Sequence, residues 1–316
     1  MKVTEHLERA TRPLISFEKS PPLRGGNVGG LLRLIEDLAR YEPPFIDITS
    51  HGSQVSYEET ESGIQRKVKR KRPGTIGVCA LIQNKYNIDA VPHVLCVGFT
   101  REESEDFLIE LNYLGIDNVL AVRGDENGFR KPLQYGRSAN DYAVDLVSQI
   151  TAMNRGRYLE EDILDADPTD FCIGIAGYPE KHFEAPNLET DVSRTQQKVD
   201  AGGDYIVTQM FFDNQRYYDY VDACRRHGLY IPIIPGLKNI TTKNQLRYLP
   251  SMFHCDIPQE FAAEIEAAKP EHVMEVGVEW ALKQAQDLLD HDVPSLHFYL
   301  MQSSMAINML MGRLKR

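Results

Sequence analysis

The chain has 316 residues, 42% of them hydrophobic, and a formal net charge of -11. That length can bury a large core, and the acidity argues against a nucleic-acid partner or an anionic membrane surface. No apolar run approaches the roughly 18 residues of a membrane helix, and the charged stretch 1–13 lacks the apolar centre of a signal peptide, so a cytoplasmic protein is expected.

Eight short apolar runs recur along the chain, at 13–18, 45–49, 93–98, 118–124, 171–177, 205–212, 231–236 and 295–301. They are nearly continuous rather than alternating, as expected of strands covered on both faces. Helical stripes lie between them: Leu31, Leu34, Ile35 and Leu38; Phe107, Leu108, Leu111 and Leu114; Tyr142, Leu146, Val147 and Ile150. Consecutive βα units without a linker predict an α/β chain. The expected fold is one eight-stranded (βα)8 TIM barrel over residues 1–316, with extra helices near the mouth and the C-terminus. The segments 126–170 and 257–293 exceed a simple βα unit and are expected to shape the mouth. The glycine-rich stretch 25–30 does not fit GxGxxG spacing and follows Pro21-Pro22; it reads as a flexible loop over the mouth. The basic run 67–72, interrupted only by Val68, reads as a solvated helix end. The cysteines Cys79, Cys96, Cys172, Cys224 and Cys255 include no metal-type pair; three lie inside apolar runs and read as small core residues, which points to a reducing compartment with no metal site.

Active sites of such barrels sit at the C-terminal ends of the strands. Three runs end there on polar groups: Glu18, Arg123-Gly124-Asp125 and Gln209. Glu18 precedes Lys19-Ser20-Pro21-Pro22, whose prolines make a rigid exit. Partly desolvated, it would hold its proton and serve as a general acid; the plainer alternative is a surface pair with Lys19. Asp125 would stabilise a developing cation or cap the next helix. Arg123 would meet a phosphate or Asp125. His93 opens the third run and, alone, is more often a hydrogen-bonded core residue. Tyr178, His182 and Glu184 follow the fifth run without an HExxH or cysteine set, and fit an aromatic wall beside a ring cofactor better than a metal. Asp191 and Lys198, seven apart on one helical face, suit the hydroxyls and diphosphate of a nucleotide, or an ordinary exposed face.

Taken in order, several pieces form a joint pattern: Ser16-Phe17-Glu18 with Pro21-Pro22, Ile48-Thr49, Val91-Pro92-His93, Ala121-Val122-Arg123-Gly124-Asp125 and Tyr178-Pro179-Glu180 with His182. Further along come Lys198-Val199-Asp200-Ala201-Gly202, Thr208-Gln209 with Phe211-Phe212-Asp213, Ile234-Pro235-Gly236 and His297-Phe298-Tyr299. The pattern resembles the methylenetetrahydrofolate reductase family over nearly the whole chain. The resemblance implies a barrel binding FAD at its strand ends. It implies reduction of FAD by NADH or NADPH, then reduction of 5,10-methylenetetrahydrofolate to 5-methyltetrahydrofolate in a ping-pong cycle that feeds methionine synthesis. It makes Glu18 the acid that opens the folate ring to an iminium ion, and sets Asp125 by the flavin and pterin. Thr49, His93, Arg123, Gly124, Asp125, Tyr142, Ala143, Tyr178, His182, Asp191 and Lys198 match FAD-contacting positions; Gln209, Gln245 and Tyr299 match folate contacts. A homo-oligomer is also implied.

The chain departs from the family in places. Lys19-Ser20 replace two aromatics, and Gln302-Ser303-Ser304 stand where some relatives carry a folate-binding arginine. Arg194 and Gln197 differ from the usual residues of the FAD helix, so the diphosphate grip would be shared by Arg194 and Lys198. The chain ends soon after the eighth run, so neither a C-terminal regulatory domain nor inhibition by adenosylmethionine is expected. Rival readings are another FAD barrel such as a proline dehydrogenase-like oxidase, a Schiff-base aldolase using Lys238, and a non-catalytic barrel subunit.

Overall fold

The computed structural model describes residues 1–124, 131–160, 162–300 and 303–315. Every apolar run forms a strand. In chain order the first half contains α1 (Val3–Arg9), β1 (Leu14–Lys19), α2 (Val28–Ala39), β2 (Phe45–Ile48), β3 (Gln54–Thr60), β4 (Gly63–Lys69), α3 (Thr75–Tyr86), β5 (Asp89–Leu95), α4 (Arg101–Tyr113), β6 (Asn118–Val122) and α5 (Ala143–Met153). The second half contains β7 (Cys172–Gly177), α6 (Leu188–Asp200), β8 (Tyr205–Thr208), α7 (Asn214–Arg226), β9 (Ile233–Ile234), β10 (Gly236–Leu237), α8 (Gln245–Phe253), α9 (Gln259–Ala267), α10 (Val273–Asp290), β11 (Ser295–Tyr299) and α11 (Met305–Met311).

Nine strands form one sheet in the order β10-β11-β1-β2-β5-β6-β7-β8-β9, and each neighbouring pair is parallel. Its two edges, β9 and β10, are separated in sequence only by Pro235, so the sheet comes round on itself as an eight-stave barrel. Proline has no N–H to donate, which splits the seventh stave in two. The Pro235 carbonyl still accepts from His297 N at 3.0 Å.

Strand alternation separates two cores. Outward residues such as Phe17, Ile46, Ile48, Val94, Ile175, Leu237 and Phe298 pack under the helices, against Leu31, Leu34, Ile35 and Leu38 of α2 among others. Inward residues Phe45, Val91, Leu120, Cys172, Tyr205, Val207 and Ile234 fill the lower barrel. The short helix α1 plugs that end: Val3 joins the inner cluster, and the side chain of Asn118 accepts from Val3 N (2.8 Å) and donates to Met1 O (2.9 Å). Among the described residues the opposite, C-terminal end of the strands is the one not plugged in this way.

Three local expectations are corrected. The basic run 67–72 is not a helix end. It lies on β4 and the loop beyond, in an antiparallel hairpin with β3, where Lys67 and Lys69 both pair with Glu58. His93 does not open its strand but lies within β5, which begins at Asp89. The glycine-rich stretch is only partly loop: Asn27 caps Gly29 N at 2.6 Å, and α2 is helical from Val28. Two helices, α9 and α10, flank Pro270 as the segment 257–293 suggested.

Candidate active site

The two-residue alternation carries inward residues up to the open rim. In the register of the sheet, Glu18 lies beside Tyr299 on one side and Asp47 on the other. Lys238 follows Leu237, which pairs with Phe298, so Lys238, Tyr299 and Glu18 occupy three adjacent staves at one level.

Glu18 is largely buried, and its Oε2 lies 3.4 Å from His93 Nε2. The same imidazole nitrogen is 3.7 Å from Asp47 Oδ1. Asp47 is 0% exposed, and neither of its oxygens accepts a hydrogen bond. Burial without a partner holds its carboxyl well above the usual range. Beyond it, His297 Nδ1 lies 3.9 Å from Asp47 Oδ2 and 2.8 Å from Ser16 Oγ. Burial, aided by nearby His93, pushes His297 down to about 3, and burial lowers His93 against the pull of Glu18. Burial beneath Glu18 thus disfavours the charged forms of Asp47, His93 and His297.

Next along the rim, Thr49 Oγ1 donates to Ser20 Oγ at 2.9 Å and lies 2.9 Å from His51 Nε2. Burial and Arg72 lower His51 to about 4. Arg70 donates from Nε to His51 O at 2.9 Å, and Arg72 to Pro21 O at 2.5 Å. These two arginines, in the loop after β4, thus tie down the loops that follow β1 and β2.

After β6 and β7 the rim becomes strongly charged. Arg123 makes a bidentate pair with Glu184 at 2.8 and 3.0 Å. His182 N donates to Asp191 Oδ2 at 3.2 Å, and the His182 ring packs edge-on to Tyr178 with centroids 4.7 Å apart. Burial, with Arg123, Lys198 and Arg194 nearby, brings His182 down to about 4 despite Glu184. Lys198 Nζ donates to Ala176 O at 2.6 Å and lies 6.0 Å from the centre of the Tyr178 ring. Burial lowers it to about 8, although Asp191 holds it up. Gly124 adopts φ +89°, a left-handed turn natural to glycine. Tyr142 is exposed and precedes α5, whose first residue is Ala143; its N–H donates to Asp145 Oδ2 at 2.9 Å. Arg194 is exposed on α6, one turn from Asp191 and Lys198. Asp125 lies outside the described residues.

On the remaining staves, Gln209 follows β8, and its Oε1 accepts from Met210 N at 2.9 Å. Tyr299 donates its hydroxyl to Thr208 O at 2.5 Å. Gln245 Oε1 accepts from Thr241 N (2.7 Å) and Thr242 N (3.0 Å). A cavity of about 420 Å³ opens here, lined by Lys238, Asn239, Gln245, Tyr248, Tyr299 and Ser303 among others.

The residues expected from sequence therefore gather on one rim in two groups. Glu18, His93, Gln209, Gln245 and Tyr299 surround the acid side; Arg123, Tyr178, His182, Asp191 and Lys198 form the charged side. Sequence reading missed Asp47, His51 and the placement of Lys238 beside the acid. The signal for Asp47 was present: Phe45 faces inward, so an acid two residues on must do so too.

The charged side suits a nucleotide cofactor. Arg123, Lys181, Arg194 and Lys198 supply cationic groups for a diphosphate beside Glu184 and Asp191, and α6 begins at Leu188, three residues before Asp191. Tyr178 and His182 offer flat apolar faces for a ring. Among the described residues no group of three or more His, Cys, Asp or Glu side chains converges as a metal set. No helix among them is long and apolar enough to cross a membrane.

Comparison with known proteins identifies the family of the chain. The sequence matches the model of the methylenetetrahydrofolate reductase family over residues 2–315. It is 30% identical to methylenetetrahydrofolate reductase 1 of Schizosaccharomyces pombe, across 99% of this chain and 48% of that protein. It is 26% identical to 5,10-methylenetetrahydrofolate reductase of Pectobacterium carotovorum, across 90% of this chain and 84% of that one. The chain thus spans about half the length of the yeast relative. A solved Clostridium thermocellum protein, described as uncharacterized and binding two copies of 5-methyl-5,6,7,8-tetrahydrofolic acid, superposes with TM-score 0.58 at 12% identity, covering 98% of this chain and 96% of its own. That likeness shows a shared fold. With the family match spanning both groups of rim residues, the chain belongs to the methylenetetrahydrofolate reductase family.

Proposed function

We propose that this protein reduces 5,10-methylenetetrahydrofolate to 5-methyltetrahydrofolate, with FAD as the resident cofactor and NADH or NADPH as the reductant. The observation that carries the reading is the largely buried Glu18 at a strand end, 3.4 Å from His93, on the same rim as a cationic cluster fit for a dinucleotide.

FAD, when bound, supplies two-electron hydride exchange with the nicotinamide and the folate in turn. Arg123, His182, Asp191, Arg194 and Lys198 would hold its diphosphate and hydroxyls, with Thr49, Gly124, Tyr178 and the start of α5 at Tyr142 and Ala143 along its length. On the acid side, Glu18 would give its proton to the folate nitrogen N10. The bond from N10 to the methylene carbon then breaks, leaving an iminium at N5 that accepts hydride as the methyl group. His93 sits on the buried side of Glu18, so the carboxyl meets an imidazole there and is not drawn into bulk water. Gln209 and Gln245 would orient the folate beside it. Asp125, outside the described residues, would stabilise the iminium.

Glu18→Gln separates the two halves of the reaction. The variant is expected to hold FAD and accept hydride from the nucleotide, while losing folate reduction by about 10²-fold or more, the contribution of a positioned general acid. Rapid-mixing absorbance at the flavin band reads both steps. Folate reduction at the wild-type rate would remove Glu18 from the acid role.

A further inference from the structure

Two carboxyl groups flank one imidazole nitrogen beneath the rim. Glu18 and Asp47 are partners in the register of β1 and β2. His93 Nε2 lies 3.4 Å from Glu18 Oε2 and 3.7 Å from Asp47 Oδ1. Among the described residues that nitrogen makes no hydrogen bond, and neither does either oxygen of Asp47. A neutral imidazole nitrogen offers either one proton or one lone pair, so it cannot serve both carboxyls in the same way. Each distance exceeds a hydrogen bond by about half an ångström or less, a gap that closes by small rotations when substrate orders a site.

Two arrangements compete. In the first, an ionised Asp47 accepts from Nε2–H, as a carboxylate that orients a catalytic imidazole does. The anion would then lie in the interior with no cation beside it. Its ionic neighbours among the described residues are His93 and His297, and burial lowers both. His297 Nδ1 is also 3.9 Å away and already engaged with Ser16 Oγ at 2.8 Å. Cys79 of α3, Tyr205 of β8 and Tyr299 of β11 face the same carboxyl, and each is an acid pushed up first by burial and further by Asp47. In the second arrangement Asp47 keeps its proton and donates it from Oδ1 to the Nε2 lone pair. The ring proton then sits on Nδ1, and no charge is buried. An uncompensated buried charge is far costlier than an unmet hydrogen bond, so the second arrangement is favoured.

We propose that Asp47 is a positioning residue for the acid: its neutral carboxyl occupies the His93 Nε2 lone pair, so that this nitrogen cannot take the proton Glu18 holds for the folate. The inference rests on the folate reading above. No proton leaves Asp47 during the cycle; the one delivered to N10 is Glu18's own, replaced from solvent before the next turnover. Without the Asp47 hydroxyl the lone pair is free, and Glu18 loses its proton to His93 as a carboxylate–imidazolium pair.

The test follows flavin reoxidation by methylenetetrahydrofolate in the FAD-loaded, prereduced protein as a function of pH. Asp47→Ala should move the alkaline limb of the profile down by about one pH unit, which is about a tenfold loss of rate on that limb. Asp47→Asn, whose amide N–H donates in the same place, should restore the wild-type limb. Reduction of the flavin by the nucleotide should be unchanged in both variants, since it needs no proton from Glu18. An alkaline limb that stays put in Asp47→Ala, one that moves equally in Asp47→Asn, or a loss in both half-reactions alike at every pH overturns the inference and leaves folate reduction standing. A wild-type flavin that methylenetetrahydrofolate never reoxidises overturns the reading beneath it. If Asp47→Ala fails to hold FAD, the nitrogen-15 resonance of His93 in the wild-type holoenzyme decides: an Nε2 without a proton supports the proposal, and a protonated Nε2 overturns it.

Discussion

Asp47 shows how the interior of this barrel works at the scale of one side chain. It is wholly buried, its carboxyl accepts no hydrogen bond, and two imidazole nitrogens lie 3.7 and 3.9 Å away. With its carboxyl held above the usual range by burial, Asp47 keeps a proton in the folded state that the unfolded chain releases near the ordinary carboxylate value. The folded state therefore binds more protons between those two values, and stability falls as pH rises through that window. Asp47→Asn removes the titration and keeps the shape. It is expected to be more stable than wild type at pH 8, by on the order of 1–3 kcal/mol, with the gap closing toward pH 4. Denaturant unfolding at several pH values measures this; a gap independent of pH would mean that Asp47 is ionised when folded. The sequence exposed Glu18 because a carboxylate ending an apolar run before two prolines is conspicuous. Asp47 and Lys238 stayed hidden because one sits inside a run and the other just past one, and only the barrel's inward–outward alternation gives them a common cavity. The rim residues Arg123, His182, Asp191 and Lys198 were found through the ordered family pattern; each alone was ambiguous.

At the scale of elements, the barrel strands were legible because parallel strands under helices must be apolar on both faces. The hairpin β3–β4 was not, since its residues are mostly exposed and no core imposes a pattern. Its strand pairing is local, closed by a turn in which Thr60 Oγ1 donates to Gly63 O at 2.7 Å. The helix α1 was missed for a related reason: seven residues with one fully buried side chain carry little periodicity. Strand interiors also explain two glycines. A Cβ on Gly174 would lie 2.5 Å from the Tyr205 ring and 2.7 Å from Leu120 Cδ1; one on Gly177 would lie 2.4 Å from the Tyr220 hydroxyl. Gly174 faces inward, where large neighbours need a gap. Gly174→Ala is expected to destabilise the fold by about 1–3 kcal/mol through overpacking, read as a lower denaturant midpoint. Restoration by a second change, Tyr205→Phe, would be partial, because the ring carbon remains while only the hydroxyl clash at 2.7 Å is relieved. Unaltered stability in the single variant would contradict the tight inner packing.

At the scale of the whole molecule, the two ends of the barrel divide the labour. The N-terminal end is closed by α1 and filled with side chains. The C-terminal end gathers Lys19, Arg123, Lys198 and Lys238 in a chain whose net charge is -11. If the proposed function holds, these cations would help bring an anionic cofactor and an anionic folate to that mouth. Burial at the rim then sharpens the chemistry, since Lys19 falls to about 8, Lys198 to about 8 and Lys238 to about 7. Lys19 and Lys198 stay largely charged near neutrality, whereas Lys238 sits where a nearby anion would favour its charged form. On the proposed function, one rim serves both a nucleotide reductant and a folate through FAD. Its most direct test is an anaerobic absorbance titration of the purified, FAD-loaded protein. The flavin band should bleach on addition of NADH or NADPH and return on addition of methylenetetrahydrofolate, with methyltetrahydrofolate formed in equal amount. A protein that binds no FAD, or a bleached flavin that methylenetetrahydrofolate leaves reduced, would overturn that function.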